Sequence, residues 1–149
     1  MPTEQSQFHG YEIKGLPLPP ELEGRVPVLA DIAMPKDTNP LGDVFGGWLL
    51  AQMDLAAGHA AHVFARGKPV KTRAISEIEF HKPVYIGDKV ALYADIVHVG
   101  NTSVRIKIES WVLRRNELKY EKVTEGTFTM VAIGPDGRPT PVLTKKFSG

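Results

Sequence analysis

Hydrophobic positions along the chain follow a helical pattern in one long stretch, residues 47–66. This stretch has no proline, carries apolar or small side chains around nearly its whole circumference, and is followed by Gly67. A helix that is apolar on most sides belongs inside a protein, and glycine commonly ends a helix. The pattern therefore predicts one long helix, buried on most sides, that stops before Gly67.

Apolar and polar residues alternate in the segments around this helix, which is the pattern of half-buried β-strands. An apolar run at residues 26–33 precedes the helix, and four alternating segments joined by short turns follow it, beginning near Val70, Val90, Val104 and Lys119. In the first of these four, the alternation places one set of residues on a common face: Val70, Thr72, Ala74, Ser76, Ile78 and Phe80. Short turns favour antiparallel neighbours, so we expect an α+β fold in which a curved antiparallel sheet of about five strands wraps one central helix. The open edges of such a sheet favour self-association.

Proline, glycine and polar residues concentrate at the two ends of the chain. Residues 1–24 include Pro17, Pro19 and Pro20 and are predicted to form an extended arm. Residues 25–134 are predicted to form a single domain, and residues 135–149 a tail. The arm carries a few apolar side chains that we expect to lie along the domain or a neighbouring subunit: Phe8, Tyr11, Ile13 and Leu16.

The composition narrows the classes of function. The 149 residues are 42% hydrophobic, enough for one domain with a core, and 18 lysines and arginines balance 17 aspartates and glutamates. This balance, without a basic stripe, predicts no nucleic-acid partner. The absence of cysteine excludes disulfides, thiolate catalysis and cysteine-based zinc sites. No apolar run approaches the roughly 20 residues of a membrane span, and the polar N-terminus lacks a signal-peptide pattern, so we expect a cytoplasmic protein without membrane insertion.

One carboxylate and two adjacent glycines stand where the helix begins, in the stretch NPLGDVFGGWLL, residues 39–50. Two interpretations of this stretch compete. In the first, Asp43 is an N-cap that only holds the helix start, the commoner role of a lone aspartate before a helix. In the second, the anionic side chain faces exposed backbone N–H groups of Gly46 and Gly47 at a functional site. Both can hold at once.

Other patterns that carry chemistry are weak. His59 and His62 share a helix face at a three-residue spacing, but no third metal ligand lies nearby in the sequence, so no metal site is predicted. No serine stands in a nucleophile-elbow pattern, and the chain has neither a phosphate-binding loop nor a dinucleotide fingerprint.

Four segments together indicate a family. They are MPKDTNPLGDVFGGWLLAQMD (residues 34–54), FHKPVYIGD (80–88), VGNTSVRIKIESWV (99–112) and VTEGTFTMVAI (123–133). With these segments in this order, the chain resembles the YciA-type acyl-CoA thioester hydrolases of the hotdog fold, in which a sheet wraps a central helix. The resemblance implies hydrolysis of acyl-CoA to free CoA and a carboxylic acid without a metal or redox cofactor. It also implies a homodimer or a trimer of dimers with the active site at a subunit interface.

The resemblance also assigns roles at the helix start. Asp43 falls at the family's catalytic aspartate, as general base or nucleophile. Asn39, from the same loop, is a candidate to orient the water or Asp43, although an asparagine at such a place is by itself more often a turn residue. The unsatisfied N–H groups of a helix start lead to a further hypothesis, that Gly47, together with Gly46, binds the substrate by polarising the thioester carbonyl. Asp54 stays an alternative, because other branches of the hotdog thioesterases use a helix carboxylate at about this spacing.

Further residues are implied to bind the CoA part of the substrate. The turn with Gly100, Thr102 and Ser103 matches one that lies along the CoA path in resembling proteins, although Asn101 stands where relatives often carry a basic residue. Phosphates need local cations, and the candidates are Lys82, Arg105, Lys107, Arg114 and Arg115.

Two other classes of function compete with thioester hydrolysis. One is a non-catalytic acyl-CoA binding or sensing protein on the same fold. The other is a hotdog hydratase or dehydratase, but the strand and loop positions that this chemistry needs show no His–Asp pairing.

Overall fold

The computed structural model describes Gly10 and residues 15–143, which form one α-helix packed against one five-stranded sheet. The elements are β1 (Leu29–Ile32), α1 (Gly46–Phe64), β2 (Val70–Phe80), β3 (Lys89–Val99), β4 (Ser103–Leu113) and β5 (Tyr120–Ala132). Single turns of 3₁₀ helix lie at Pro20–Leu22 and Pro35–Asp37. Neighbouring strands are all antiparallel, in the order β1-β3-β4-β5-β2. The predicted fold class is confirmed.

The inner face of the sheet and one side of α1 form the main core. On β4 the predicted alternation is observed, since its apolar set is buried under the helix: Val104, Ile106, Ile108 and Val112. The helix meets this face with small side chains as well as large ones: Leu49, Met53, Ala56, Ala57 and Ala61. Alanines let the helix backbone come close to the strands, so close packing fixes its height above the sheet.

The first strand is shorter than predicted. β1 begins at Leu29 instead of residue 26, and Val26 is 83% exposed. Pro27 has no N–H to donate to a ladder, so regular pairing with β3 starts only after it, with Leu29 opposite Leu92.

β2 departs from the predicted alternation. Its register against β5 shifts between residues 72 and 74 and again between residues 76 and 79. After the first shift, Ile75 and not Ala74 lies opposite the buried Phe128. The common face predicted for the six alternating residues is therefore wrong, because each bulge inserts a residue and exchanges the two faces of the strand.

The second bulge of β2 depends on a glycine in β5. Glu77 within the bulge has a φ of 54°, a left-handed conformation that side chains other than glycine rarely adopt. The neighbouring Ile78 lies across Gly126, where a Cβ would overlap Ile78 Cδ1. The missing side chain at Gly126 therefore gives the bulged strand the space that it occupies.

One stripe of α1 faces away from the sheet and is exposed in a single chain. It consists of Ala51, Leu55, His59 and Val63, spaced by four residues, and Leu55 and Val63 are 62% and 59% exposed. The prediction that the helix is buried on most sides is wrong for one chain, because the sheet covers only the opposite side. Within the described residues, no helix combines the length and apolarity needed to cross a bilayer.

Residues near both ends of the described chain join small cores. Leu22, 0% exposed, packs on the outer face of the sheet with Tyr93 and Trp111. Val142 is buried with Ala65 and Ala132 at the far end of the helix.

The division of the chain after residues 24 and 134 stays a prediction. Three apolar residues of the predicted arm lie outside the described residues: Phe8, Tyr11 and Ile13.

A cluster of charged side chains lies at the end of the sheet where β2 leads into β3. Arg114, which is 9% exposed, donates to Asp88 at 2.8 Å and to Glu121 at 2.9 Å. Lys119 also pairs with Glu121, at 2.9 Å. Hydrogen bonds from Lys119 and Arg114 lower the pKa of Glu121 to about 2. The carboxylate form of Glu121 is therefore stabilised by folding.

Substitution of Gly126 tests the packing of the second bulge. Gly126→Ala places a methyl group where Ile78 Cδ1 lies, and overpacking of this kind costs about 1–3 kcal/mol. We expect urea unfolding to show this loss. The double variant Gly126→Ala/Ile78→Val, which removes the overlapping carbon, should recover most of it. An unchanged free energy of unfolding in Gly126→Ala would contradict the packing.

The lowered pKa of Glu121 predicts part of the acid sensitivity of the fold. A carboxylate whose pKa falls from 4.5 to about 2 on folding adds stability above pH 4.5, and that stability is lost as the pH drops toward 2. We expect the free energy of unfolding of Glu121→Gln to fall less steeply across this range than that of the wild type, measured by urea unfolding at several pH values. The control is Glu117→Gln, an exposed carboxylate in the turn before β5, which should keep the wild-type slope.

Candidate active site

Asn39 organises the loop that leads into the helix. Its side-chain oxygen accepts hydrogen bonds from the N–H groups of Leu41 at 2.9 Å and Asp43 at 3.2 Å. Its own N–H donates to the Asp43 carbonyl oxygen at 2.6 Å. Gly42 has a φ of 89° in the same turn, a conformation that suits glycine. These contacts hold the backbone of Asp43 in one place.

The segment around Asp43 is also paired with the loop that follows β2. Asp43 and Tyr85 form an antiparallel bridge, and the Val44 N–H donates to the Val84 carbonyl oxygen at 2.9 Å. The N-cap of α1 is Phe45, and no side chain caps the helix. The N-cap interpretation of Asp43 is therefore wrong, because the bridge places Asp43 two residues before the cap position. Within the part of the chain that the structure describes, its carboxylate has no hydrogen-bond or ion-pair partner.

The helix begins with two N–H groups that are available to a ligand. The N–H groups of Trp48 and Leu49 donate to the Phe45 carbonyl oxygen at 3.0 and 3.3 Å. Those of Gly46 and Gly47 have no backbone acceptor among the described residues. They lie at the positive end of the helix dipole, so the pair can stabilise a partial negative charge on an incoming oxygen.

A cavity of about 230 Å³ brings the predicted groups together. Asp43, Gly46 and Lys82 line it, and Gly47 follows Gly46 in the first helical turn. Its remaining wall combines Phe80 and His81 with apolar residues of the two loops and the helix: Val44, Phe45, Leu49, Pro83 and Val84. The cavity therefore has a carboxylate, a free N–H group and a cation beside an apolar surface.

Two charged residues of the sequence prediction have protein partners. The Lys82 ammonium lies 3.4 Å from Glu121, and its side chain is 51% exposed at the cavity. Asp54 accepts a hydrogen bond from the Thr72 hydroxyl at 2.5 Å and does not line the cavity. Asp43, not Asp54, is thus the carboxylate that faces this space in a single chain.

The residues predicted along the CoA path lie at the opposite end of the sheet. Gly100, Thr102 and Ser103 form the turn between β3 and β4, where the Gly100 N–H donates to the Ser103 carbonyl oxygen at 2.8 Å. β3 runs from the Asp43 end to this turn, Lys89–Val99, a span of about 33 Å at the usual rise per residue. One copy of the chain does not bring this turn to the cavity.

The cations proposed for phosphate binding are not equivalent. Arg114 is buried, and its donors are used by Asp88, Glu121 and the Pro83 carbonyl oxygen. Arg105 and Arg115 are exposed, and Lys107 is partly exposed 4.0 Å from Glu125. Arg114 therefore has a structural role in this chain that the sequence did not reveal.

One group of side chains has metal-ligating geometry among the described residues: Glu79, His81 and Glu125. The His81 Nε2 atom lies 3.8 Å from Glu79 and 3.7 Å from Glu125. Lys122 already pairs with Glu125 at 2.8 Å, and its hydrogen bond lowers the pKa of that carboxylate. The expectation that the protein has no metal site stays a prediction.

Sequence reasoning assigned no role to Phe80 or His81, although both belong to the segment FHKPVYIGD that indicated the family. Their place in the cavity follows from the pairing of the loop after β2 with the segment before α1. A sequence motif describes only neighbouring residues, so it does not show which distant segments pair.

Known proteins resemble this chain in sequence and in fold. The model of the thioesterase superfamily matches residues 41–118. Acyl-CoA thioester hydrolase YciA of Escherichia coli (strain K12) is 44% identical over 116 residues, which cover 75% of this chain and 86% of that protein. A hexameric broad-specificity acyl-coenzyme A thioesterase matches with a TM-score of 0.77 at 35% identity, covering 83% of this chain and 91% of the other. A hexameric hotdog-fold thioesterase of Campylobacter jejuni matches with a TM-score of 0.75 at 37% identity, covering 80% and 91%.

These matches agree with the architecture and with the four sequence segments that indicated the family. The matched region contains Asp43, the helix start and the loop after β2, so the candidate site lies inside it. The chain therefore belongs to the thioesterase superfamily, as a hotdog-fold relative of the YciA-type acyl-CoA thioester hydrolases.

Proposed function

We propose that this protein hydrolyses acyl-CoA thioesters to free CoA and a carboxylic acid, without a cofactor, in the cytoplasm. One observation carries the proposal: an unpartnered carboxylate, Asp43, and the free N–H of Gly46 line the same cavity. Thioester hydrolysis needs a group that activates water and a group that stabilises the carbonyl oxygen, and these two supply both. Membership of the thioesterase superfamily supports the same reaction.

The proposed reaction starts with a water molecule between Asp43 and the thioester. The water oxygen attacks the carbonyl carbon while Asp43 takes one of its protons. The carbonyl oxygen becomes negative and accepts hydrogen bonds from the N–H groups of Gly46 and Gly47. When the intermediate collapses, the C–S bond breaks and the CoA thiolate takes up the proton that Asp43 held. In the alternative course, an Asp43 oxygen attacks the carbonyl carbon, and the C–S bond breaks to release the CoA thiolate and leave an anhydride. Water then cleaves the anhydride, which frees the carboxylic acid and the Asp43 carboxylate, and the remaining proton goes to the thiolate.

The other predicted residues support this reaction in the proposal. Asn39 keeps Asp43 in place through the hydrogen bond from the Asp43 N–H. Lys82, half-exposed at the cavity, attracts the CoA phosphates. The turn with Gly100, Thr102 and Ser103 contacts the pantetheine from a second copy of the chain, because it lies too far away within one copy.

A second copy also explains two features of the single chain. β2 is an edge strand that pairs only with β5, and the helix stripe containing Leu55 and Val63 is exposed. Edge strands and apolar patches of this kind are commonly covered by another chain. The two hexameric thioesterases that match in fold agree with a trimer of dimers. We propose that assembly completes the site.

Release of free thiol tests the reaction and the role of Asp43. Purified protein is mixed with acyl-CoAs of several chain lengths and a colour reagent for thiols. We expect Asp43→Asn to lower kcat by roughly 10²–10⁴-fold, the usual contribution of a general base, with an unchanged circular dichroism spectrum. The matched variant Asp54→Asn should cost much less.

Two outcomes would contradict this assignment. A greater loss of kcat in Asp54→Asn would move the catalytic role to Asp54. Protection of the wild-type protein against heat by acyl-CoA, without any thiol release, would make it a binding or sensing protein instead of an enzyme.

Substitution on the exposed helix stripe tests the assembly. Leu55→Glu puts a charge at a position that is 62% exposed in one chain, so it should be harmless to a monomer and disruptive to a packed interface. We expect light scattering to give a smaller molar mass for Leu55→Glu than for the wild type, together with a loss of thioesterase activity. The control Leu118→Glu changes a residue that is 60% exposed in the turn after β4 and should keep the wild-type mass. Equal masses for all three proteins would place the interface elsewhere.

A further inference from the structure

We propose that Arg114 is a positioning residue for Asp43: it holds the loop after β2 in the place where that loop pairs with the Asp43 segment. This inference rests on the proposed function, in which Asp43 acts on the thioester. Arg114 lies in the turn after β4, remote in sequence from both segments, and it does not line the cavity.

The guanidinium of Arg114 is enclosed by acceptors from three parts of the chain. It donates to Asp88 at 2.8 Å, to the Pro83 carbonyl oxygen at 2.8 Å and to Glu121 at 2.9 Å. The Cζ atom of Arg114 lies 5.5 Å from the centre of the Tyr85 ring. Burial acts to lower the pKa of Arg114, but the hydrogen bonds to Asp88 and Glu121 raise it. The group is therefore a permanent cation fixed by several bonds at once.

Hydrogen bonds to the Arg114 and Asp88 side chains hold the loop after β2 in place. Asp88 is 3% exposed, and its carboxylate accepts hydrogen bonds from the Tyr85 N–H at 3.0 Å and the Arg115 N–H at 3.0 Å as well as from Arg114. Arg114 thus fixes Pro83 directly and Tyr85 through Asp88. The carbonyl oxygen between these two points belongs to Val84.

This same short stretch carries the pairing with the active-site segment. The Val84 carbonyl oxygen accepts the Val44 N–H at 2.9 Å, and Tyr85 forms the bridge with Asp43. Hydrogen bonds and the short stretch of backbone between Pro83 and Tyr85 therefore connect the guanidinium to the segment that carries Asp43. On the other side of Asp43, the turn held by Asn39 also fixes its position.

Removal of the guanidinium would leave the Asp88 carboxylate buried without its cation. A buried charge without a partner is unfavourable, so the loop has to move until water reaches Asp88. Such a movement carries the Val84 and Tyr85 backbone with it and displaces Asp43 from the glycine N–H groups. Displacement by about 1 Å at a reacting centre is enough to lower a rate constant by roughly 100-fold.

The chain offers a control for the loss of an arginine that bridges two carboxylates, in a cluster that is only partly buried. Arg25 also bridges two carboxylates, Asp95 at 2.8 Å and Glu109 at 2.8 Å, and lies 5.1 Å from the centre of the Tyr93 ring. This second cluster lies on the outer face of the sheet and contacts neither the loop after β2 nor the Asp43 segment. Arg25→Gln therefore reports the effect of losing such a cluster without the link to Asp43.

Hydrogen exchange tests the link itself and does not depend on activity. Deuterium uptake by peptides is followed by mass spectrometry in wild type, Arg114→Gln, Arg114→Lys and Arg25→Gln. We expect faster exchange in the peptides that contain Val44 and Tyr85 for Arg114→Gln, with unchanged exchange in β4. Arg25→Gln should leave the Val44 peptide at the wild-type rate. Unchanged exchange at Val44 in Arg114→Gln would overturn the link.

Kinetics then test the consequence for catalysis at a temperature where all variants are folded. Arg114→Gln should lower kcat by roughly 10–100-fold with KM within about twofold, because the buried arginine does not touch the substrate. Arg114→Lys keeps the charge beside Asp88 and should recover part of kcat; it also serves as the test variant if Arg114→Gln does not fold. Equal kcat losses in the Arg114 and Arg25 variants would overturn the positioning role. A wild-type protein that releases no thiol would instead refute the proposed function and leave the exchange result standing.

Discussion

Close packing between the alanine-bearing side of α1 and the inner face of the sheet is the contact on which the other features depend. Large side chains at Ala57 or Ala61 would lift the helix away from β4 and β5, and the first helical turn would move with it. Because the helix lies so close, its N-terminus comes to the end of β2, where Gly46 meets the ring of Phe80. The dipole of the helix is thereby aimed at a fixed point beside Asp43.

Much of the architecture could be predicted from local patterns, and the exceptions have physical causes. The alternation on β4 is regular, and its buried apolar residues follow the pattern. On β2 the pattern fails because the strand has two bulges, and the second of them depends on the missing side chain of Gly126, which belongs to another strand. The exposed helix stripe was also missed, since periodicity records which residues are apolar but not whether one chain or two will cover them.

The candidate site was predictable where one segment supplies it and unpredictable where distant segments meet. Asp43 and Gly46 were singled out from NPLGDVFGGWLL and line one cavity. Arg114 was considered only as a cation for phosphate, because its partners Asp88 and Glu121 lie on other elements. Its role becomes visible only when the turn after β4 closes over the loop after β2. Ion pairs between residues that are far apart in the sequence produce no periodic pattern from which they could be predicted.

The loop contact made by Asn39 has a chemical consequence beyond geometry. Asparagine side chains decay slowly in solution when the next backbone nitrogen loses its hydrogen and attacks the carboxamide carbon, forming a cyclic imide. The next residue here is Pro40, whose nitrogen carries no hydrogen and cannot follow that route. The Asn39 side-chain amide, whose oxygen accepts the hydrogen bonds of the Leu41 and Asp43 N–H groups, is therefore protected from this reaction. The turn that fixes the proposed catalytic carboxylate is thus spared this chemical change.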